Sequence, residues 1–175
     1  MKLTTCVHYF FEQYLPRIKG CSPNTIKGYR DAFSLFLPFA RDTLATPINA
    51  LQVEQLTPKL IVNFLGWLEK ERKNGARTRN HRLAAIQSLA KMILYMHPEK
   101  REVAARILDI PRKRYHRNII GFLYQEEILA VFDSVNLSSA QGFRDYTLLN
   151  LLFDSGARAG EVAALDLDFF DPQQK

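Results

Sequence analysis

The chain has 175 residues, 47% of them apolar, and a net charge of +6, an ordinary composition for one or two globular domains. No apolar run approaches the ~20 residues of a membrane-spanning helix, so a membrane protein is excluded as an expectation. The charge is divided: residues 1–118 hold 21 Lys+Arg and 9 Asp+Glu, net +12, while residues 119–175 hold 3 and 9, net −6. The first part is therefore the one suited to a polyanion. Cys6 and Cys21 have neither CxxC spacing nor a histidine cluster, which points to idle thiols in a reducing cytoplasm and to no metal site. The N-terminal stretch MKLTTCVHYFFEQYL is not a signal peptide, because His8 and Glu12 interrupt its apolar run.

Helical periodicity dominates from the N-terminus onward. A first helix is expected over about 4–15, with Val7, Phe10, Phe11, Tyr14 and Leu15 on one side. Ser22-Pro23 opens a second, serine as N-cap and proline at the first helical position. Its stripe is Ile26, Tyr29, Phe33, Phe36, Leu37 and Ala40, and Pro38 is expected to kink it or end it early. Thr57-Pro58 repeats the signal for a third helix, with Ile61, Phe64, Leu65 and Leu68 as its stripe and Asn74-Gly75 as its stop. Trp67 lies off that line, a weak sign of a partner contact. A fourth helix is expected over about 78–95, its stripe running through Leu83, Ile86, Leu89, Ala90 and Ile93, and a short fifth over 101–108. The fold class is thus mainly α, with a small bundle of four to five helices over residues 1–110.

A basic linker follows over 111–120, beginning Pro111-Arg112-Lys113-Arg114, where the charge balance changes sign. Residues 121–175 form a second domain. Helices are expected there at about 125–135, 144–154 and 158–164, and the tail from Leu165 has the pattern of a first strand.

The basic residues carry the first functional expectation. The fourth helix opens in the cluster Arg77-Thr78-Arg79-Asn80-His81-Arg82. Arg79 and Arg82 lie one turn before Leu83 and Ile86, so they extend the apolar stripe past the edge of the body. Cations at a helix N-terminus oppose the dipole, and a phosphate ligand resolves the conflict. The same residues on a solvated face is the plain alternative. Asn80 and Thr78 add polar contacts to phosphate or bases. Thr25, Lys27 and Arg30 on the second helix, and Arg112, Lys113, Arg114 and Arg117 in the linker, are further candidates for the DNA backbone, with a solvated face and a simple tether as their alternatives. Neutralising about six phosphates corresponds to a slope near −5 in log affinity against log salt. In the second domain the apolar helix breaks at Asp154-Ser155-Gly156 and leaves Arg158 at the start of the next helix, either paired with a carboxylate or waiting for an anion.

The motif Ser155-Gly156-Ala157-Arg158-Ala159-Gly160-Glu161-Val162, preceded by Arg144-Asp145 and followed by Leu165, resembles that of the tyrosine recombinase (phage integrase) family. Ser22-Pro23-Asn24-Thr25-Ile26 with Tyr29 is similar to the family's SAM-like, helical core-binding domain. Phe122-Leu123 and Glu127-Ile128 resemble the entry to its catalytic domain. The resemblance implies a DNA-binding portion of a site-specific recombinase, with duplex DNA as partner, self-association on paired sites and no cofactor. The family cleaves and rejoins DNA through a 3′-phosphotyrosyl link. Arg158 then corresponds to the first catalytic arginine, holding the scissile phosphate, and Glu161 to a residue orienting that end of the site. The family's lysine, His-x-x-Arg box and tyrosine nucleophile have no counterpart here, so residues 121–175 are expected to be a truncated α+β catalytic domain, inactive alone. A naturally short, catalytically silent DNA-binding relative is the alternative.

Overall fold

In a computed structural model of the chain, residues 1–116 and 121–166 are described. The chain divides into two compact units, Met1–Arg117 and Asn118–Lys175. Among the described residues there is no β-strand and no helix long and apolar enough to cross a membrane. The architecture is mainly α.

In the first unit, α1 (Leu3–Tyr9) continues directly into a π-helical stretch, Phe10–Ile18. It runs three residues beyond the expected end. Pro16 has no N–H to give, and the wider helix accommodates it: Lys19 N–H reaches back five residues to the Tyr14 carbonyl at 2.8 Å. Then come α2 (Pro23–Leu44), α3 (Pro58–Lys70), α4 (Ala76–Met96) and α5 (Arg101–Leu108). Both cap signals operate as the sequence implies. Ser22 Oγ accepts from Thr25 N–H at 3.3 Å, and Thr57 Oγ1 accepts from Leu60 N–H at 3.2 Å.

Pro38 does not end α2 early, which was one of the two outcomes expected of it; the helix continues to Leu44. The residues around it explain why. Phe36 and Ala40 are buried, and Phe39 packs on Phe64 and Trp67 with ring centroids 5.4 and 5.6 Å apart. Holding those rings in place outweighs one missing backbone hydrogen bond. Trp67 also packs, 6.0 Å from Phe64 in a stacked arrangement, and its remaining surface lines a shallow open cavity with Pro38 and Phe39.

The core is a relay of aromatic rings, Phe10–Phe33–Phe36–Phe64, closed by the apolar face of α4. The expected α4 stripe is buried, but so are Ala85 and Met92. The helix is covered on more than one side because α2, α3 and α5 all pack on it. α4 is therefore the central strut, and its N-terminal turn is the part that leaves the core.

The second unit holds α6 (Gln125–Asp133), α7 (Ala140–Ser155) and α8 (Ala159–Val162). α7 begins four residues earlier than expected, because Ser139 Oγ caps it by accepting from Gly142 N–H at 3.0 Å. Phe132 packs edge-on against Tyr146 and Phe153, at 5.7 and 5.9 Å, yet no described residue of this unit is buried. The strand expected from Leu165 falls almost wholly on residues 167–175, outside the described residues, as does the α+β character it implied.

Candidate nucleic-acid interface

Two groups of basic side chains converge on the N-terminal turn of α4. One is the turn itself. The other is the segment 111–116, which is not a loose tether but is fixed to α4. Asn80 donates from Nδ2 to the Lys113 carbonyl at 2.7 Å and accepts at Oδ1 from the Lys113 N–H at 2.9 Å. The Lys113 ammonium reaches Glu69 of α3 at 2.6 Å. Arg77, Asn80, His81, Ala84, Arg112 and Tyr115 surround one shallow cleft, and Asn80 with residues 112–116 surrounds a second beside it. Arg77, Arg112 and Arg114 are exposed and take part in no ion pair among the described residues. Three permanently charged guanidiniums around two neighbouring clefts, with no counter-charge among the described residues, form an anion-seeking surface.

The turn's residues do not all face outward. Thr78 is exposed, but Arg79 is only 12% exposed. Its Nε lies 3.7 Å from Glu69 Oε2, and its Nη1 donates to Asn80 Oδ1 at 3.2 Å. Arg82 is half-buried and donates from Nη1 to the Asp31 carbonyl of α2 at 3.0 Å; burial pulls its pKa below the ordinary guanidinium value. The Nε atoms of both arginines are buried without a hydrogen-bond partner. The expectation that Arg79 and Arg82 project beyond the body is thus corrected: they turn back and tie α4 to α3 and α2. Periodicity placed them on the apolar side correctly, and that side is where the body is.

The remaining candidates are dispersed. Thr25 is engaged at the cap of α2, its hydroxyl 3.0 Å from Ser22 Oγ, and Lys27 is exposed on the same helix; neither lines the clefts. Arg30 sits 3.6 Å from Glu12 and over the Phe11 ring at 5.7 Å. Arg117 lies outside the described residues. Tyr115, His81 and His116 line the clefts without having been singled out, although their places inside two arginine-rich clusters were the available signal.

In the second unit, Gly156 closes α7 with φ +63°, the left-handed conformation that favours glycine, its N–H returning to the Leu152 carbonyl at 3.1 Å. Two residues later Arg158 stands at the N-cap of α8 with 86% of its side chain exposed. Glu161 accepts from Arg158 twice, from the backbone N–H and from Nη1, both at 2.8 Å. These two bonds, the backbone one first, hold the Glu161 carboxyl below its usual pKa. The break in the apolar run therefore delivers an open guanidinium, braced by a carboxylate one turn away. The pair is on the surface, not sealed in an interior.

The first unit is thus a helical bundle with a cationic rim at the N-terminal end of α4, and the second unit presents an exposed arginine–glutamate pair. Residues 10–94 match the phage integrase N-terminal SAM-like domain. The chain is 35% identical over 95% of its length to y4rC of Sinorhizobium fredii, provisionally named an integrase/recombinase, of which it covers 50%. It is 31% identical over 92% of its length to the tyrosine recombinase XerC of Chlamydia muridarum, covering 55%, and 28% identical over 90% to the tyrosine recombinase XerD of Staphylococcus saprophyticus, covering 51%. No solved structure matches at a comparable level. The chain belongs to the tyrosine recombinase (phage integrase) family. It spans about half the length of the curated relatives it matches.

Proposed function

We propose that this chain is the DNA-binding portion of a site-specific tyrosine recombinase, in which residues 1–110 form the core-binding domain, 111–120 the linker and 121–175 the start of the catalytic domain. The Met1–Arg117 unit grips the phosphate backbone of duplex DNA through Arg77, Thr78, Arg112 and Arg114. The observation that carries this reading is the docking of the basic segment on α4, which gathers guanidiniums without an ion-pair partner among the described residues around one pair of clefts. Phosphate contacts of this kind set register and affinity rather than sequence preference. Arg158, open to solvent and braced by Glu161, is suited to hold a non-bridging phosphate oxygen in the whole enzyme. Charge accumulates on that oxygen when a phosphodiester is attacked, and a planar permanent cation stabilises it.

Fluorescence anisotropy with a short labelled duplex at rising salt tests the binding role. The wild-type chain is expected to give a slope near −5, about six phosphates. Arg77→Ala/Arg112→Ala/Arg114→Ala is expected to reduce its magnitude by about 3, one per lost phosphate contact. A triple variant that binds like wild type would count against the proposed face.

A further inference from the structure

α4 carries two carboxamides two turns apart, Asn80 and Gln87, and positions i and i+7 share a helix face. Gln87 Nε2 donates to the carbonyls of Leu108 and Ile110 at 3.1 and 3.0 Å. Asn80 then engages both backbone groups of Lys113. The chain leaving α5 is therefore laid back along α4, from its middle toward its N-terminus. At Lys113 the main chain is held by Asn80 and the ammonium by Glu69, while Arg112 and Arg114 on either side have no ion-pair partner among the described residues.

We propose that Asn80 is a positioning residue for DNA binding: it does not touch DNA but locks the Lys113 backbone so that Arg112 and Arg114 stand in a preset register beside Arg77. This role rests on the DNA-backbone function proposed above. A basic segment free in solution loses backbone entropy when it binds, and a segment already ordered has little left to lose. Asparagine suits the task because one planar group offers an acceptor and a donor, matching the N–H and C=O of a single residue. Its capacity is largely spent in doing so, since Oδ1 also accepts from Arg79.

Two hydrogen bonds of ordinary net strength correspond to roughly a tenfold change in an equilibrium constant. Asn80→Ala is therefore expected to weaken duplex binding roughly tenfold and to lower the magnitude of the salt slope by about 2. It should add nothing in an Arg112→Ala/Arg114→Ala background, because it acts through those residues. The isosteric Asn80→Asp, which loses the donor, should behave alike. A loss that adds to that of the arginine pair and leaves the slope unchanged would overturn the proposal, since it marks direct contact with DNA. Limited trypsin digestion without DNA supplies the independent readout. Cleavage after Arg112 and Arg114 should be severalfold faster in Asn80→Ala than in wild type. Equal rates beside normal wild-type DNA binding would overturn the role of Asn80 alone, whereas a wild-type chain that ignores duplex DNA would overturn the binding function and this role with it.

Discussion

Arginines at adjacent turns of one helix have opposite duties here, and their partners decide which. Arg79 and Arg82 face Glu69 and the Asp31 carbonyl and are largely withdrawn from water, whereas Arg77 is exposed and unpaired among the described residues. Removing one partner of a half-buried polar contact leaves the other unsatisfied, which costs about 1–3 kcal/mol. Arg79→Ala and Arg82→Ala should therefore lower the stability of the first unit by about that amount in chemical denaturation. Arg77→Ala should leave the unfolding midpoint unchanged and weaken DNA binding. Arg158 behaves as a surface residue in the isolated chain. Its ion pair with Glu161 is exposed, and such pairs add little to stability, so Arg158→Ala should barely move thermal unfolding. A large destabilisation by that variant would mean that the guanidinium serves the fold.

The elements stand on contacts that differ in how visible they are in the sequence. The serine-proline and threonine-proline starts of α2 and α3 were legible because caps are local chemistry, and the α4 stripe because burial follows a 3.6-residue period. The stop of α7 at Gly156 and the arginine after it were legible because they too are local signals. The inward turn of Arg79 and Arg82 was not, since Glu69 and Asp31 come from other helices. The Asn80–Lys113 clamp, 33 residues apart, leaves no periodic trace either. Pro38 does not end the helix because ring packing at Phe36, Phe39 and Phe64 outweighs a local rule. Phe64 is the hub of that packing, and Phe64→Ala should cost about 3–5 kcal/mol of stability in the first unit. A second long-range contact is the Glu54 clasp. Its carboxylate receives the Lys100 ammonium at 2.5 Å and the N-terminal ammonium at 3.3 Å, and its pKa falls to about 2, chiefly through the Lys100 hydrogen bond. A carboxyl with a depressed native pKa stabilises fully above its ordinary value of 4.5 and progressively less as pH falls toward about 2. Because the side chain is 43% exposed, solvent screening limits the contribution to about 1 kcal/mol at most. Denaturant midpoints of wild type and Glu54→Gln should therefore differ slightly at pH 6 and converge near pH 2.

Across the whole molecule, the two units differ in how much they bury. The first closes a core of aromatic rings and aliphatic residues, while the second has no buried residue among those described and exposes Phe122, Phe143 and Phe153 at 72, 64 and 55%. Local opening is easiest where few apolar contacts are buried. Chymotrypsin should accordingly cleave the 175-residue chain within 121–166 well before it cuts the aromatic core of residues 1–110; equal resistance of both units would contradict that difference. The charge follows the same division, with the basic excess in the unit that carries the clefts. Arginine-selective dicarbonyl labelling, read by mass spectrometry with and without duplex DNA, tests the central claim most directly. DNA should protect Arg77, Arg112 and Arg114 while leaving Arg41 and Arg106, each paired with a neighbouring carboxylate away from the clefts, as reactive as before. Protection of Arg41 and Arg106 with the three cleft arginines unchanged would contradict it.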